Sequence, residues 1–468
     1  MKIEQIYTGC LAQGAYYIES NGEVAIIDPL REVQPYIDKA EANNAHIKYI
    51  FETHFHADFV SGHVTLSKET GAPIIYGPNA KTSFNSMIAI DQQEFKLGEI
   101  TIVALHTPGH TMESTTYLLR DENNKDHAIF SGDTLFLGDV GRPDLAQKSS
   151  DKTQDDLAGL LYDSLRTKIM TLPDDVLVYP AHGAGSACGK NLSSDKVGTI
   201  GNQKETNYAL RGNLSKREFI QELAQDLTPA PVYFPFNVQL NQEGYDDINE
   251  IIKRSARPIH VRKFDVLRKE NAAIVLDVRS EKEFSKGHIP NSIFVGIDGS
   301  FAPWVGSLIG NIKQPILLVT PKGREKETII RLARVGFDNT IGYLKGGFQS
   351  WKLSEKKYDT VNSISANDFK DLLGYDPSVF DVRKKTEFSN ERIKYSKNIP
   401  LAELNNSIDN FPVNKTFFLH CAGGYRSMIA ASILKSKGIH NVIDVNGGIK
   451  AIKDVKIPTL NYVHPVQY

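Results

Sequence analysis

Residues 53–63 read THFHADFVSGH, and they follow directly on the strand-like run IKYIF. The stretch places His54, His56 and Asp58 within five residues. Loops at strand ends are where catalytic groups collect. Because imidazoles at positions i and i+2 of a loop can converge on one ion, the stretch predicts a metal-binding loop.

Three later segments add ligand candidates, each directly after an apolar run. They are His110 in HTPGH, Asp133 in SGDTLF and His182 in YPAHG. Imidazole and carboxylate ligands without thiolate suit zinc, iron or manganese. The apolar runs alternate with helix-like patterns up to about residue 180, which predicts strands interleaved with helices.

The ordered motifs, HxHxD, Gly-His, Gly-Asp and a late His, resemble the metallo-β-lactamase fold over residues 1 to about 230. The resemblance implies an αββα sandwich. In dinuclear zinc hydrolases of this fold, such as glyoxalase II, the motif is HxHxDH. Here the last position is Phe59, which cannot donate a lone pair, so a centre with one metal ion is favoured.

Two histidines and one carboxylate with open positions form the ligand set of non-haem Fe(II) oxygenases. THFHADFVSGH together with GDTLFLGDVGRPD at residues 132–144 resembles the persulfide dioxygenases. The resemblance implies one Fe(II) per chain, bound by His54, His110 and Asp133. His56, Asp58 and His182 would then be neighbours or alternative ligands, and zinc on His54, His56 and His110 remains an alternative.

Two further groups are candidates for substrate binding near the metal. Arg142, in GRPD, offers a charge for an anionic thiol substrate or forms a surface ion pair. Cys188 lies six residues beyond His182, on a Gly-rich loop, and is either an acceptor of sulfane sulfur or a buried thiol. Cys10, without basic neighbours, is interpreted as structural.

The second half of the chain contains an internal repeat of about 100 residues. IVLDVRSEKEF at 274–284 matches VFDVRKKTEF at 379–388, and each copy later has a Gly-Gly pair. The aromatic stretch TPAPVYFPF at 228–236 precedes the repeat and suggests a boundary. We therefore predict a multidomain α/β protein with domains at 1–235, 259–357 and 360–458, the last two with mainly parallel sheets.

In the second copy, the strand TFFLH is followed by a loop and then a helix-like segment. The loop consists of Cys421 and Arg426, which we predict to be catalytic, and of the residues between them, which we predict to bind the substrate: Ala422, Gly423, Gly424 and Tyr425. Backbone N–H groups, the helix dipole and Arg426 all stabilise negative charge, which predicts a nucleophilic cysteine that forms a persulfide. The loop resembles that of rhodanese sulfurtransferases, and its C-x4-R spacing is one residue shorter than the C-x5-R of cysteine phosphatases.

Aligning the two copies by their Gly-Gly pairs places Thr320 opposite Cys421. Threonine has no thiolate, so the first copy should be catalytically inactive. We expect Asp277, Arg279, His288 and Pro290 to maintain its fold. A packing, dimerisation or docking role is predicted for this domain.

Charge and hydropathy exclude other classes of function. With 54 Lys and Arg against 56 Asp and Glu, the formal charge is −2, too balanced for nucleic-acid binding. No run approaches the ~18 apolar residues that span a bilayer, and the N-terminal MKIEQIYTGC does not resemble a signal peptide. We expect a cytoplasmic protein with no membrane partner.

Taken with these resemblances, both sites would handle sulfane sulfur. The first would oxidise a low-molecular-weight thiol persulfide with O2 to sulfite, and Cys421 would give or use thiosulfate, in sulfide detoxification. No motif singles out glutathione, coenzyme A or bacillithiol, and the resemblance favours a homo-oligomer. The alternatives are a glyoxalase II-like zinc thioester hydrolase and a non-catalytic sulfur-carrier scaffold.

Overall fold

The structure is a computed structural model that describes residues 1–145, 151–225, 227, 229–375 and 377–461. The chain divides into two compact units. The first comprises Met1–Ile248 and Ala333–Gly336, and the second comprises Asn249–Leu332 and Phe337–Tyr468. None of the helices in the described ranges combines the length and the apolarity needed to cross a membrane.

The first unit contains two six-stranded sheets. The strands of the first sheet are, in spatial order, β1 (Lys2–Thr8), β2 (Gln13–Ser20), β3 (Glu23–Ile27), β4 (His46–Phe51), β5 (Ile74–Tyr76) and β6 (Met87–Ile88). The strands of the second sheet are β7 (Glu94–Leu97), β8 (Ile100–His106), β9 (Thr115–Arg120), β10 (Asp126–Gly132), β11 (Leu177–Pro180) and β12 (Gly198–Thr199), in the spatial order β12-β11-β10-β9-β8-β7. Residues such as Phe51, Tyr117 and Phe130 form one buried cluster between the sheets.

Helices cover the outer faces of both sheets. They are α1 (Gln34–Ala42), α2 (His63–Thr70), α3 (Gln154–Ser164), α4 (Ile200–Thr206), α5 (Lys216–Ala224) and α6 (Phe234–Glu243). Tyr36 of α1 and Leu66 of α2 pack on the first sheet, while Leu161 of α3 and Phe219 of α5 pack on the second. The predicted αββα sandwich is confirmed.

The aromatic stretch at 228–236 leads into α6, whose residues belong to the first unit. Pro235 lies in the first turn, where a helix tolerates proline because the N–H that it lacks would have no partner there. The first unit thus extends past residue 235, although Thr228 lies outside the described residues. The three domain boundaries stay predictions.

The second unit contains two five-stranded parallel sheets with the same topology. The first sheet has β13 (Pro258–Ile259), β14 (Ile274–Asp277), β15 (Ile293–Phe294), β16 (Ile316–Val319) and β17 (Thr340–Leu344), in the spatial order β13-β17-β16-β14-β15. The second has β18 (Asn362–Ile364), β19 (Ser378–Asp381), β21 (Lys397–Asn398), β22 (Phe417–His420) and β23 (Val442–Val445), in the order β18-β23-β22-β19-β21. A short ladder pairs β20 (Glu391–Ile393) with β24 (Thr459–Asn461). The predicted repeat of parallel α/β folds is confirmed.

Each repeat surrounds its sheet with helices. They are α7 (Ile248–Ser255), α8 (Val261–Glu270), α9 (Glu281–Lys286), α10 (Phe301–Ile309), α11 (Glu325–Ala333), α12 (Gly347–Leu353), α13 (Ala366–Leu372), α14 (Lys385–Asn390), α15 (Tyr425–Ser436) and α16 (Gly448–Asp454). Helix α15 follows β22 as α11 follows β16, so these two helices are equivalent in the two repeats.

The Asp-Val-Arg motif forms the same buried ion pair in both repeats. Arg279 Nη2 lies 2.6 Å from Asp277 Oδ2 and also donates to the carbonyl of Gly287. Arg383 pairs with Asp381 at 2.6 Å and donates to the carbonyl of Glu391. Each arginine therefore connects the end of a central strand to the chain that follows the next helix.

Replacing Arg279 with alanine should strongly destabilise the second unit. The carboxylate of Asp277 is fully buried, and breaking a buried pair by removing one partner costs about 3–5 kcal/mol. Differential scanning calorimetry should show a lower transition temperature for the unfolding of the second unit. Arg262→Ala, at an exposed position of α8, is the matched control and should leave that transition unchanged; equal effects of the two substitutions would contradict the assignment.

Candidate metal centre and cysteine loop

Three residues that follow strand ends converge on one point of the first unit. His54 comes after β4, His110 after β8 and Asp133 after β10. Each offers one ligand atom, and these atoms all lie within 4.8 Å of one another. The three side chains are also buried. The structure therefore brings together, in a buried place, the three residues that the sequence predicts as metal ligands.

Asp133 lies at the centre of this group. Its Oδ2 is 3.4 Å from His110 Nε2 and 3.8 Å from His54 Nε2. Among the described residues, neither carboxylate oxygen has a partner that meets hydrogen-bond geometry, although both oxygens are buried. A buried carboxylate without partners is costly, and a cation bound between these atoms would remove that cost. The donor set fits a metal ion.

A buried hydrogen-bond chain orients His54. Thr53 donates its backbone N–H and its hydroxyl to the carboxylate of Asp28, at 2.8 Å each. The hydroxyl oxygen lies 3.0 Å from His54 Nδ1. Because the hydroxyl proton is directed at Asp28, we assign the hydrogen of this contact to Nδ1, which leaves the Nε2 lone pair for a metal.

His110 is oriented by the backbone of the GRPD segment. Its Nδ1 lies 2.9 Å from the carbonyl oxygen of Arg142, which can only accept, so Nδ1 carries the proton. The Arg142 guanidinium forms a bidentate pair with Asp144, at 2.7 Å for both bonds, and donates to the carbonyl of Ala187. Arg142 thus supports a ligand through its backbone, and its role in substrate binding stays a prediction.

Burial and neighbouring imidazoles keep His54 neutral. Desolvation, followed by the charges of His56, His110 and His182, lowers the pKa of His54 well below its ordinary value. A neutral imidazole is the form that binds a metal.

His56 lies next to His54, with 4.2 Å between ring centroids, and its Nε2 faces two buried carboxylates. Its Nε2 lies 3.1 Å from Asp28 Oδ1 and 3.5 Å from Glu52 Oε2. Burial would lower the pKa of His56, but the charge and hydrogen bond of Asp28 and the charge of Glu52 raise it to about 9. The ring of Phe59 packs on the other side, with 4.3 Å between ring centroids. The imidazole of His56 is thus directed at these carboxylates, and it also groups with Asp58 and His182, with ligand atoms that lie within 4.8 Å of one another.

Asp58, His182 and Cys188 lie beside the three ligands. His182 Nε2 is 3.6 Å from Asp58 Oδ2 and 3.5 Å from Asp133 Oδ1. The thiol of Cys188 is buried and falls within a group formed with Asp133 and His182, whose ligand atoms lie within 4.8 Å of one another. Burial raises the pKa of Cys188, and the carboxylates of Asp133 and Asp58 raise it further. The roles of these residues stay predictions.

Helix α6 supplies supports that the sequence analysis missed. Asn241 donates its amide to the carbonyls of His56 and Phe59, at 2.8 and 2.9 Å, and accepts from the N–H of Ser61. At the N-cap of α6, the Tyr233 hydroxyl donates to the carbonyl of Asp58. These bonds hold the loop that carries His54. A single sequence carries no signal that pairs these residues with that loop.

In the second unit, Cys421 lies between β22 and α15, as the sequence predicts. The N–H of Gly424 donates to its Sγ at 3.1 Å, and Gly424 has a φ of 109° as the N-cap of α15. Arg426 forms a bidentate ion pair with Glu387, at 2.6 and 2.9 Å. The buried thiol thus faces a backbone donor at a helix N-terminus, and the loop is bound to α14 through Arg426. The catalytic roles of Cys421 and Arg426 and the substrate contacts of residues 422–425 stay predictions.

The second glycine of each Gly-Gly pair marks the position of this loop. A Cβ on Gly448 would lie 2.3 Å from the carbonyl oxygen of Cys421, an approach that only glycine allows. In the first repeat, a Cβ on Gly347 would lie 3.6 Å from the carbonyl oxygen of Thr320, an ordinary contact distance. The two loops therefore occupy equivalent places, as the alignment by glycine pairs predicts, and the first one carries threonine.

Comparisons with known families agree with this architecture. The profile of the Metallo-beta-lactamase superfamily matches residues 8–182, and that of the Rhodanese-like domain matches residues 262–354 and 365–454. The predicted metallo-β-lactamase domain and the two rhodanese-like domains are confirmed.

Individual relatives cover different parts of the chain. The cytoplasmic hydroxyacylglutathione hydrolase of Arabidopsis thaliana is 30% identical over 187 residues, which are 39% of this chain and 67% of the relative. The mitochondrial persulfide dioxygenase of Homo sapiens is 28% identical over 221 residues, 47% of this chain and 78% of the relative. The crystal structure of a metallo-beta-lactamase from Staphylococcus aureus matches with a TM-score of 0.64 and 29% identity, and covers 74% of this chain and 98% of that one. The last match extends beyond the first unit.

Substituting Thr53 with valine should weaken metal binding. Valine keeps the shape of threonine but removes the hydroxyl between Asp28 and His54, and loss of such an outer partner typically lowers metal affinity about 10–100-fold. Competition with a chromophoric chelator measures the affinity. Thr167→Val, at an exposed position, is the control. Unchanged affinity in Thr53→Val would show that Thr53 does not orient His54.

Proposed function

We propose that this chain, which belongs to the metallo-beta-lactamase superfamily and carries two rhodanese-like domains, is a persulfide dioxygenase joined to a sulfurtransferase. The proposal places oxygen chemistry at the His54, His110 and Asp133 group. It places sulfur transfer at Cys421. Similarity to a persulfide dioxygenase over most of that protein's length supports the first part, and the second rhodanese-like domain supports the second.

One observation carries the choice of a centre with a single ion. His56 pairs with Asp28 and Glu52 instead of joining His54, and Phe59 stands where a further ligand would be. The remaining donors are two imidazoles and one carboxylate, a set that suits Fe(II) with positions left open. A ferrous ion bound there would supply the ability to bind and reduce O2.

The proposed reaction oxidises the terminal sulfur of a low-molecular-weight thiol persulfide. In balance, RSSH, O2 and H2O give RSH, sulfite and two protons, and the four electrons lost by sulfur reduce O2. Every proposed ligand is buried, which limits contact between the ligands and bulk water. Cys188, whose thiol is buried beside Asp133, is kept in the proposal as a candidate acceptor of sulfane sulfur, with a buried structural thiol as the alternative.

Sulfur transfer at Cys421 uses a thiolate as nucleophile. The thiolate attacks the sulfane sulfur of thiosulfate, the S–S bond breaks, and sulfite leaves with the electron pair, so that a cysteine persulfide forms. The reverse step makes thiosulfate from sulfite and the persulfide. The N–H of Gly424 and the N-terminus of α15 stabilise the negative sulfur in either direction.

The proposed setting is sulfide detoxification in the cytoplasm by a homo-oligomer. A second candidate, a zinc thioester hydrolase, is favoured by the grouping of His56, Asp58 and His182 and by similarity to hydroxyacylglutathione hydrolases. The two candidates differ in metal content and in their need for O2. A non-catalytic carrier would show neither activity.

Freshly purified protein should contain near one iron per chain and consume O2 when a thiol persulfide is added, with sulfite as product. His110→Ala should abolish O2 uptake, because the substitution removes a proposed ligand. His46→Ala, an exposed histidine at the start of β4, is the control and should retain it. Two zinc ions per chain with thioester hydrolysis and no O2 uptake would overturn the dioxygenase in favour of the hydrolase.

Replacing Cys421 with serine should separate the two activities. The variant should consume O2 as the wild type does but accumulate sulfite in place of thiosulfate, since it has no thiolate to hold the second sulfur. Both anions are quantified by chromatography of their fluorescent derivatives. Cys10→Ser removes another thiol and should still form thiosulfate. A Cys421→Ser variant that makes as much thiosulfate as the wild type would exclude the proposed role.

A further inference from the structure

Tyr425 connects the cysteine loop of the second repeat to the first repeat. It is the first residue of α15 and follows Gly424, whose N–H bonds the Sγ of Cys421. Its own hydroxyl donates to the carbonyl of Gly296 in the first repeat, at 2.7 Å. Gly424, whose N–H binds the sulfur, and Tyr425, whose side chain contacts the first repeat, are therefore consecutive residues.

The tyrosine ring fits against backbone that lacks side chains. A Cβ on Gly299 would lie 2.3 Å from Cζ of the ring, and a Cβ on Gly296 would lie 3.1 Å from Cε2. Neither glycine has a positive φ, so at these positions glycine is needed for space and not for conformation. The segment 296–299 thus forms a surface that accepts the Tyr425 ring closely.

The same face of α15 contacts the first repeat farther along. Ser432 Oγ accepts the N–H of Phe294 on β15, at 3.0 Å, and Lys435 Nζ lies 3.2 Å from Asp359, which pairs with His288 of the first repeat through backbone hydrogen bonds. Residues 425, 432 and 435 lie within one sector of the helix, because successive residues turn by about 100°. The first repeat therefore supports α15 from the loop almost to its last turn.

The equivalent loop of the first repeat is not arranged for chemistry. Thr320 replaces the cysteine. Arg324, four residues later, pairs with Glu327 and Asp298. Nothing in this loop replaces the nucleophile, whereas the segment 296–299 of the same repeat contacts Tyr425.

We propose that the first repeat, which carries Thr320 in place of the cysteine, positions the Cys421 nucleophile of the second repeat. It would act through the contact of Gly296 and Gly299 with Tyr425. The contact fixes the first turn of α15 and with it the Gly424 N–H that faces Cys421. Tyr425 is thus a positioning residue, and the first repeat influences sulfur transfer without touching the sulfur. The inference rests on the proposed sulfurtransferase function only for its effect on turnover.

The test uses the full chain and two readouts. The first is the rate of Cys421 alkylation by iodoacetamide across a pH series, followed by mass spectrometry of the Cys421 peptide. The second is the separation of KM for thiosulfate from kcat in sulfur transfer to cyanide. Tyr425→Phe removes one hydrogen bond and should slow alkylation about twofold to tenfold and shift its pH midpoint upward. Gly299→Ala should have an effect of the same sign, although it lies in the other repeat.

A double-mutant cycle distinguishes this mechanism from a general loss of structure. If Gly299 acts through the tyrosine ring, then Gly299→Ala should change nothing further in a Tyr425→Ala background. Gly374→Ala, an open position in the second repeat, is the control. Additive effects in the cycle, or alkylation at the wild-type rate and pH midpoint in all variants, would overturn the proposal.

Two outcomes remain separable. If Gly299→Ala fails to fold by calorimetry, Tyr425→Phe carries the test alone, and its wild-type behaviour would overturn the proposal. If the wild type transfers no sulfur, the proposed sulfurtransferase fails, but the alkylation cycle still supports or overturns the positioning role, because it does not depend on turnover.

Discussion

The carboxylate of Asp133 is the constraint on which the first unit depends. Both of its oxygens are buried without hydrogen-bond partners in the part of the chain that the structure describes, a state that costs several kcal/mol unless a cation is nearby. The hydroxyl of Thr53 accepts the Nδ1 hydrogen of His54, and the carbonyl of Arg142 accepts that of His110. Both histidines therefore direct an Nε2 lone pair, and not a proton, at Asp133. One divalent cation bound at this point would satisfy the carboxylate and both imidazoles. The sandwich of two sheets serves to bring three strand ends to that point.

Much of this centre could be predicted from the sequence, because its ligands lie in short motifs directly after apolar strands. His54, His110 and Asp133 are recognisable by type and order alone. The groups that orient them are not. Asp28 is an ordinary residue at the end of β3, and Asn241 lies about 180 residues beyond the loop it holds. Such partners are chosen by proximity in the fold, and a single sequence carries no signal for proximity between distant segments.

In the repeats, too, features set by short motifs are predictable from the sequence, whereas contacts between distant residues are not. The glycine pairs predict that Thr320 and Cys421 are equivalent, since each pair lies a fixed distance after its strand and its second glycine packs against the loop. The Asp-Val-Arg motifs predict fold-maintaining residues, and both form closed buried pairs. The contact of Tyr425 with Gly296 was not predictable, because a tyrosine in a glycine-rich loop is equally compatible with substrate contact, solvent exposure or packing.

The bond between Phe294 and Ser432 has a consequence for how the chain can be shortened. Strand β15 is the outermost strand of its sheet, and the Ser432 hydroxyl covers the N–H of Phe294. Removing the second repeat would leave that amide open to pairing with another molecule, as happens when uncovered sheet borders cause proteins to aggregate. A truncation that ends after the first repeat would therefore tend to aggregate. The two repeats should be expressed together.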